Sequence, residues 1–186
     1  FRHEHGWGIV GLCDASGNIP HRPFLRTAIG YLGQVTFTGD PAIAKHLLQW
    51  RDAILVPHIA PAARSAYRAA KHGFRELSAA DKKLDLAGPL AKNSRAAGRL
   101  IARSSRAPVG ETALERYLAA VDREECPGHM TVVFAARAAV FHLPEPLVLA
   151  AIVFVELRSS TIPDLWTCVE TCIQAIPPAQ SGLCAA

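Results

Sequence analysis

The sequence lacks any long hydrophobic run, any strand of useful length, any paired cysteine framework and any catalytic fingerprint. Its most apolar stretch, Leu147 to Val155, falls far short of the roughly twenty residues that a membrane-spanning helix needs. Upstream it is interrupted by Arg137, His142 and Glu145, so it is expected to be a buried core helix and no membrane partner is expected. Near Phe1 there is no succession of charged, apolar and small-residue zones of the kind that marks a secretory signal. The chain starts at Phe1 without an initiator Met, as a fragment or processed product would. The 5 cysteines, Cys13, Cys126, Cys168, Cys172 and Cys184, are an odd number without framework spacing. That suits a reducing compartment, and the expected location is cytoplasmic. Strand character is confined to Ile9–Leu12 and Val35–Phe37, both too short to pair into a sheet. No Gly-x-Ser-x-Gly elbow, P-loop, dinucleotide fingerprint or His-Glu-x-x-His motif occurs. No enzyme activity, cofactor or resident metal is therefore expected.

What is present is 186 residues, 50% of them hydrophobic, enough for one domain with a substantial core. The expected organisation is a single all-α domain over 1–186, with an irregular, glycine-rich segment at 1–22. A helix from Pro23 carries Phe24, Leu25, Ala28 and Leu32 at helical spacing. Asp40 and Pro41 open another, with Ile43, Leu47, Leu48, Trp50 and Ile54 on one face and Pro57 ending or kinking it. Pro61 to Lys71 is helical and closes at Gly73; Ser78 is a candidate cap for a short helix before Gly88-Pro89. Helices follow over Leu90–Arg103, Glu111–Asp122, Thr131–His142 and Glu145–Arg158, and a last one runs from Pro163 to Ile176. The sum is a bundle of about seven to nine helices.

Charge is uneven within the net +4. Between Arg64 and Arg106 lie Arg64, Arg68, Lys71, Arg75, Lys82, Lys83, Lys92, Arg95, Arg99, Arg103 and Arg106, against Glu76, Asp81 and Asp85. Arg95, Arg99, Arg103 and Arg106 recur at three-to-four spacing, which makes one helix face cationic. Guanidinium forks pair with carboxylates or phosphates. No helix-turn-helix, zinc finger or aromatic platform accompanies them, so an acidic protein partner is expected rather than nucleic acid. Asp81 and Asp85, flanked by Lys82 and Lys83, look like an exposed amphipathic turn.

Three groupings could hold a metal, and each has a plainer reading. His3-x-His5 with Glu4 suits nickel or zinc but equally an exposed polar terminus. Cys126-x-x-His129 is half of a zinc site, or a loop thiol beside a histidine that packs at a helix start. Cys168 and Cys172, one turn apart beside Leu165, Val169 and Ile176, fit core packing. A second function class stays open: a helical ligand-binding or metal-dependent enzyme domain whose pocket uses His21, His58 or His142. Convergence of those histidines in one cavity would favour it.

The run Asn93-Ser94-Arg95-Ala96-Ala97-Gly98-Arg99-Leu100, followed by Pro127-Gly128-His129 opening the apolar Met130–Arg137 stretch, resembles the middle of the UreF family of urease accessory proteins. The resemblance extends from about Leu12 to Gln180 and is densest between Glu76 and Arg158. Near the start, Asp14-Ala15-Ser16 and Pro20-His21-Arg22-Pro23-Phe24 match the family pattern thinly, without its glycines. Near the end, Gln174 stands where the family has arginine in the motif that reaches Gln180. The resemblance implies an all-α, dimer-forming assembly chaperone that joins UreD (also called UreH) and UreG accessory proteins. It also implies a role in nickel delivery to the urease apoprotein and in the GTPase cycle of the G-protein partner. The residues expected to serve partner binding are Arg95, Arg99, Arg103, His129 and Gln180.

Overall fold

The computed structural model describes residues 46–104, 112–157 and 165–178. Among the described residues every regular element is helical, which bears out the all-α expectation. The chain enters through α1 (Leu47–Trp50) and continues without a break through a π-helical segment (Arg51–Ile59) into α2 (Ala60–Ala69). Then come α3 (Phe74–Lys83), α4 (Gly88–Ser104), α5 (Thr112–Asp122), α6 (Met130–Val140), α7 (Glu145–Leu157) and α8 (Leu165–Gln174). The predicted starts before residue 46 lie outside the described residues.

Two local expectations are corrected. Pro57 does not end its helix, because it sits inside the π-helical segment, which runs on into α2. A proline has no N–H to donate and its ring crowds the carbonyl four residues back. A wider turn relieves the crowding, and the Ala60 N–H bonds to Leu55 O, five residues back. Ser78 is not a cap either: α3 begins earlier, after Gly73, and Ser78 lies mid-helix. Gly73 has φ 150° and ψ −179°, a region open essentially to glycine alone. That conformation turns the chain sharply from α2 to α3.

The hub is α6, which packs on α2 and α4 and also touches α3, α5 and α7. Met130 to Ala139 are all buried, as a helix surrounded by protein must be. Ala60, Ala63 and Ala66 of α2 and Ala135, Ala136, Ala138 and Ala139 of α6 are 2% exposed or less; small side chains let helix axes approach closely. Leu147 to Leu157 of α7 are buried too, which confirms the core-helix reading of Leu147–Val155. Among the described residues no helix is long and apolar enough to cross a membrane.

The α6–α7 turn is tied to α2 at two points. Tyr67 Oη donates to Leu143 O at 2.6 Å, and Arg64 Nε donates to Glu145 Oε1 at 2.9 Å. Burial, with the Glu145 charge second, raises the Tyr67 phenol above its usual range. On α8, Cys172 is buried and Cys168 half-buried. Burial pushes the Cys172 thiol up to about 11, so it behaves as a small apolar group at neutral pH.

Candidate functional site

A helix that begins inside a protein carries backbone N–H groups with no partner of their own. Those of α6 begin in the core, and its N-cap residue His129 makes no side-chain cap bond. The acceptors come instead from two earlier helices. Asp81 of α3 accepts the Gly128 N–H at 2.7 Å on one carboxylate oxygen and the His129 N–H at 3.0 Å on the other. Ser94 of α4 accepts the Met130 N–H at 3.2 Å. Its hydroxyl lies 3.3 Å from His129 Nδ1, to which it can donate its own proton. The positive end of the α6 dipole also favours the Asp81 charge.

Two glycines make this junction possible. A Cβ on Gly98 would lie 1.9 Å from Gly128 O and 2.9 Å from Met130 N, so α4 crosses directly on the backbone that Ser94 caps. Gly128 has φ +69°, and a Cβ there would lie 2.4 Å from Val121 Cγ1. Tyr117 of α5 closes the floor: burial first, and the Asp81 charge second, push its phenol well above the ordinary tyrosine range. Cys126 donates to Ser78 Oγ at 3.3 Å, so its thiol and the His129 imidazole have different partners.

Ser94, His129 and Asp81 share a locality, as in a hydrolytic triad, but their bonds are those of a structural clamp. The carboxylate holds backbone amides rather than the imidazole, and the serine oxygen accepts a helix N–H. All three residues are 2% exposed or less. Burial lowers the His129 pKa, partly opposed by the Asp81 charge and reinforced by Arg95, so the ring is neutral at neutral pH. At 1% exposure His129 sits beneath the surface; its contribution to any outer face comes through the seating of α6.

The three described arginines of the cationic ridge fall into two kinds. Arg95 is exposed and, among the described residues, makes no ion pair. Arg99 Nη1 pairs with Glu124 Oε1 at 2.7 Å, and Arg103 Nε pairs with Asp122 Oδ1 at 2.7 Å. Asp122 and Glu124 stand at the negative end of α5, where carboxylates are unfavourable, and the two arginines neutralise them. The side-chain bond to Asp122 raises the Arg103 pKa further. Arg106 and Gln180 lie outside the described residues. Beside the arginines, Leu100 is 52% exposed. Among the described residues the outer face of α4 therefore offers one guanidinium without an ion pair, two that are paired, and an exposed leucine.

Asp81 was the residue that charge patterning misplaced. It is 0% exposed, not part of an exposed turn. A usable signal existed: Leu77, Ala80, Asp81 and Leu84 recur at the spacing of a single buried stripe. Of the histidines considered for a pocket, His142 is exposed and lines a 430 Å³ cavity with His72. His58 is not among the residues lining that cavity, and His21 lies outside the described residues. The cavity is shaped by the α6 C-terminus, where His142 takes φ 56°.

The UreF family model matches residues 39–161, a span that includes Asp81, Ser94, Gly98, Gly128 and His129. Neither a curated protein nor a solved structure gives a match. With the family model covering most of its length and its central motif seen as a clamp between helices, this chain belongs to the UreF family of urease accessory proteins.

Proposed function

We propose that this chain is a non-enzymatic assembly scaffold that helps nickel delivery to urease. It does so by holding UreD/UreH-type and UreG-type proteins against the urease apoprotein and by modulating the GTPase partner. It works as a homodimer in the cytoplasm and forms a single domain. The docking face is the outer side of α4, which carries Arg95 and Leu100 with Arg99 and Arg103 between them around the helix. His129 supports that face from below, and Gln180 belongs to a second contact in the C-terminal segment. The single observation that carries the proposal is that Arg95 and Leu100 are exposed and Arg95 has no ion pair among the described residues, on a helix whose other side is locked by Ser94 and Gly98. An arginine and an apolar side chain on a rigid element are the usual anchors of protein interfaces.

Co-expression with UreD/UreH-type and UreG-type proteins, followed by size-exclusion chromatography, tests the proposal. The pair Arg95→Glu and Arg99→Glu is expected to remove the chain from the assembly while its helical circular dichroism is unchanged. Co-elution at the wild-type ratio would move the docking face elsewhere. Arg95→Glu alone is the cleaner variant, since Arg99→Glu also sets a carboxylate against Glu124.

A further inference from the structure

The α2–α3 helical pair carries a feature that none of the above uses. A groove of about 790 Å³ runs between the two helices, with Pro177 and Pro178 on its rim. Its α2 wall carries Arg64 and Arg68, His72 lines it from the turn after α2, and its α3 wall carries Glu76 and Lys83. The remaining lining includes Ala69, Ala79 and Ala80, and such short side chains leave the groove unfilled. Arg64 is held in place by Glu145. Arg68 and Lys83 are exposed and, among the described residues, have no ion pair.

The local charge balance is one-sided. Over residues 64–83 the cations are Arg64, Arg68, Lys71, Arg75, Lys82 and Lys83, and the acids are Glu76 and Asp81. Asp81 is buried on the α6 amides. Glu76 folds back over the first turn of α3, where its Oε2 lies 3.1 Å from the position of a Cβ on Gly73. Asp81 is thus withdrawn from the α2–α3 surface, which leaves Glu76 as its exposed acid against the exposed Arg68, Lys71, Arg75, Lys82 and Lys83.

Among the described residues the chain offers no unpaired cluster of acids to complement it. Outside the described residues the acids are Glu4, Asp14, Asp40, Glu111 and Asp164, well separated along the sequence. The one acidic cluster among the described residues, Asp122, Glu124 and Glu125, is paired with Arg103, Arg99 and Arg123. A second copy therefore brings no free cluster either. Among the described residues no Phe, Tyr or Trp lines the groove, so it lacks the broad stacking platform that single-stranded nucleic acid favours. The alanines and prolines do suit an apolar side chain.

We propose that the α2–α3 groove binds an acidic peptide segment of a partner protein, with two or more carboxylates meeting Arg68 and Lys83 and an apolar side chain over Ala69, Ala79 and Ala80. It shares no residue with the α4 face, so the two contacts fail independently. The test uses the full chain and a fluorescent peptide probe of alternating glutamate and leucine, with a lysine–leucine peptide as control, read by fluorescence anisotropy. The acidic probe is expected to bind and the basic one not. Arg68→Glu with Lys83→Glu weakens acidic-probe binding by about tenfold or more, whereas Arg95→Glu changes it by less than about twofold. Arg68→Gln with Lys83→Gln, which removes charge without reversing it, gives an intermediate loss. Equal binding by the wild type and the charge-reversed variant would overturn the proposal, as would displacement of the probe by ATP or poly(U) at comparable concentration.

Discussion

The two sides of α4 do opposite jobs with neighbouring residues. Inward, Ser94, Ala97, Gly98 and Ile101 are buried, and the serine and glycine clamp the start of α6. Outward, Arg95, Ala96, Leu100 and Arg103 are exposed, and the described residues give Arg95 no ion pair. The inner side is sensitive to volume and polarity, because Ser94 caps a specific backbone amide and Gly98 lies against the α6 backbone. The outer side tolerates almost anything as far as folding goes. A short motif such as Ser94-Arg95-Ala96-Ala97-Gly98-Arg99 thus interleaves residues that clamp α6 with residues at the surface, where the proposed docking face lies.

A second contrast lies within the core. Asp81 and Glu156 are both buried carboxylates, at 0% and 2% exposure. Asp81 accepts two amide protons at the head of α6. Glu156 Oε2 has no hydrogen-bond partner among the described residues, and burial raises its pKa to about 7. The first carboxylate holds the fold together, and the second weakens it once ionised.

The largest effect should come from Gly98→Ala. Its Cβ meets a backbone carbonyl that cannot rotate away, and the expected loss is about 4 kcal/mol or more, read by urea denaturation. Next is Asp81→Ala, which strands the Gly128 and His129 amides in the core. A loss of about 3 kcal/mol is expected, and a change under about 1 kcal/mol would show that the clamp is dispensable.

Glu156→Gln sharpens the contrast between the carboxylates, because its effect has the opposite sign. With a folded pKa near 7 against 4.5 for the ordinary group, the fold holds a proton that the unfolded chain releases. Wild-type stability therefore falls as pH rises from about 4.5 to about 7 and levels off above that. The glutamine variant removes this dependence and gains up to about 3 kcal/mol at pH 8. Identical pH profiles for the two proteins would contradict the assignment. The smallest effect belongs to Arg103→Ala, whose pair with Asp122 is exposed on both sides. Its melting midpoint should stay within about 2 °C of wild type.

Much of the bundle was legible in the sequence. Apolar periodicity and the breaks at Gly88-Pro89, Pro127-Gly128 and Pro144 place α4 to α7 within a residue or two of their observed ends. Pro57 misled, because a local rule for α-helices does not foresee a π-helical register. Asp81 misled for a different reason. Its neighbours Lys82 and Lys83 are exposed, and its partners lie more than forty residues away. Long-range capping leaves no local trace beyond the position of the acid on an apolar stripe. The arginine ridge was visible, whereas its partial neutralisation by the end of α5 depended on a helix crossing that no spacing encodes.

The most direct test of the division between the two sides of α4 sets Arg95→Glu/Leu100→Asp beside Ser94→Ala. Affinity for the UreD/UreH-type and UreG-type proteins and the urea midpoint are measured on each. The account predicts that the outer double variant loses partner affinity by tenfold or more with its midpoint unchanged. Ser94→Ala should lose about 1–2 kcal/mol of stability and keep its affinity while folded. An outer variant that binds partners as the wild type does would contradict the account, as would one that unfolds.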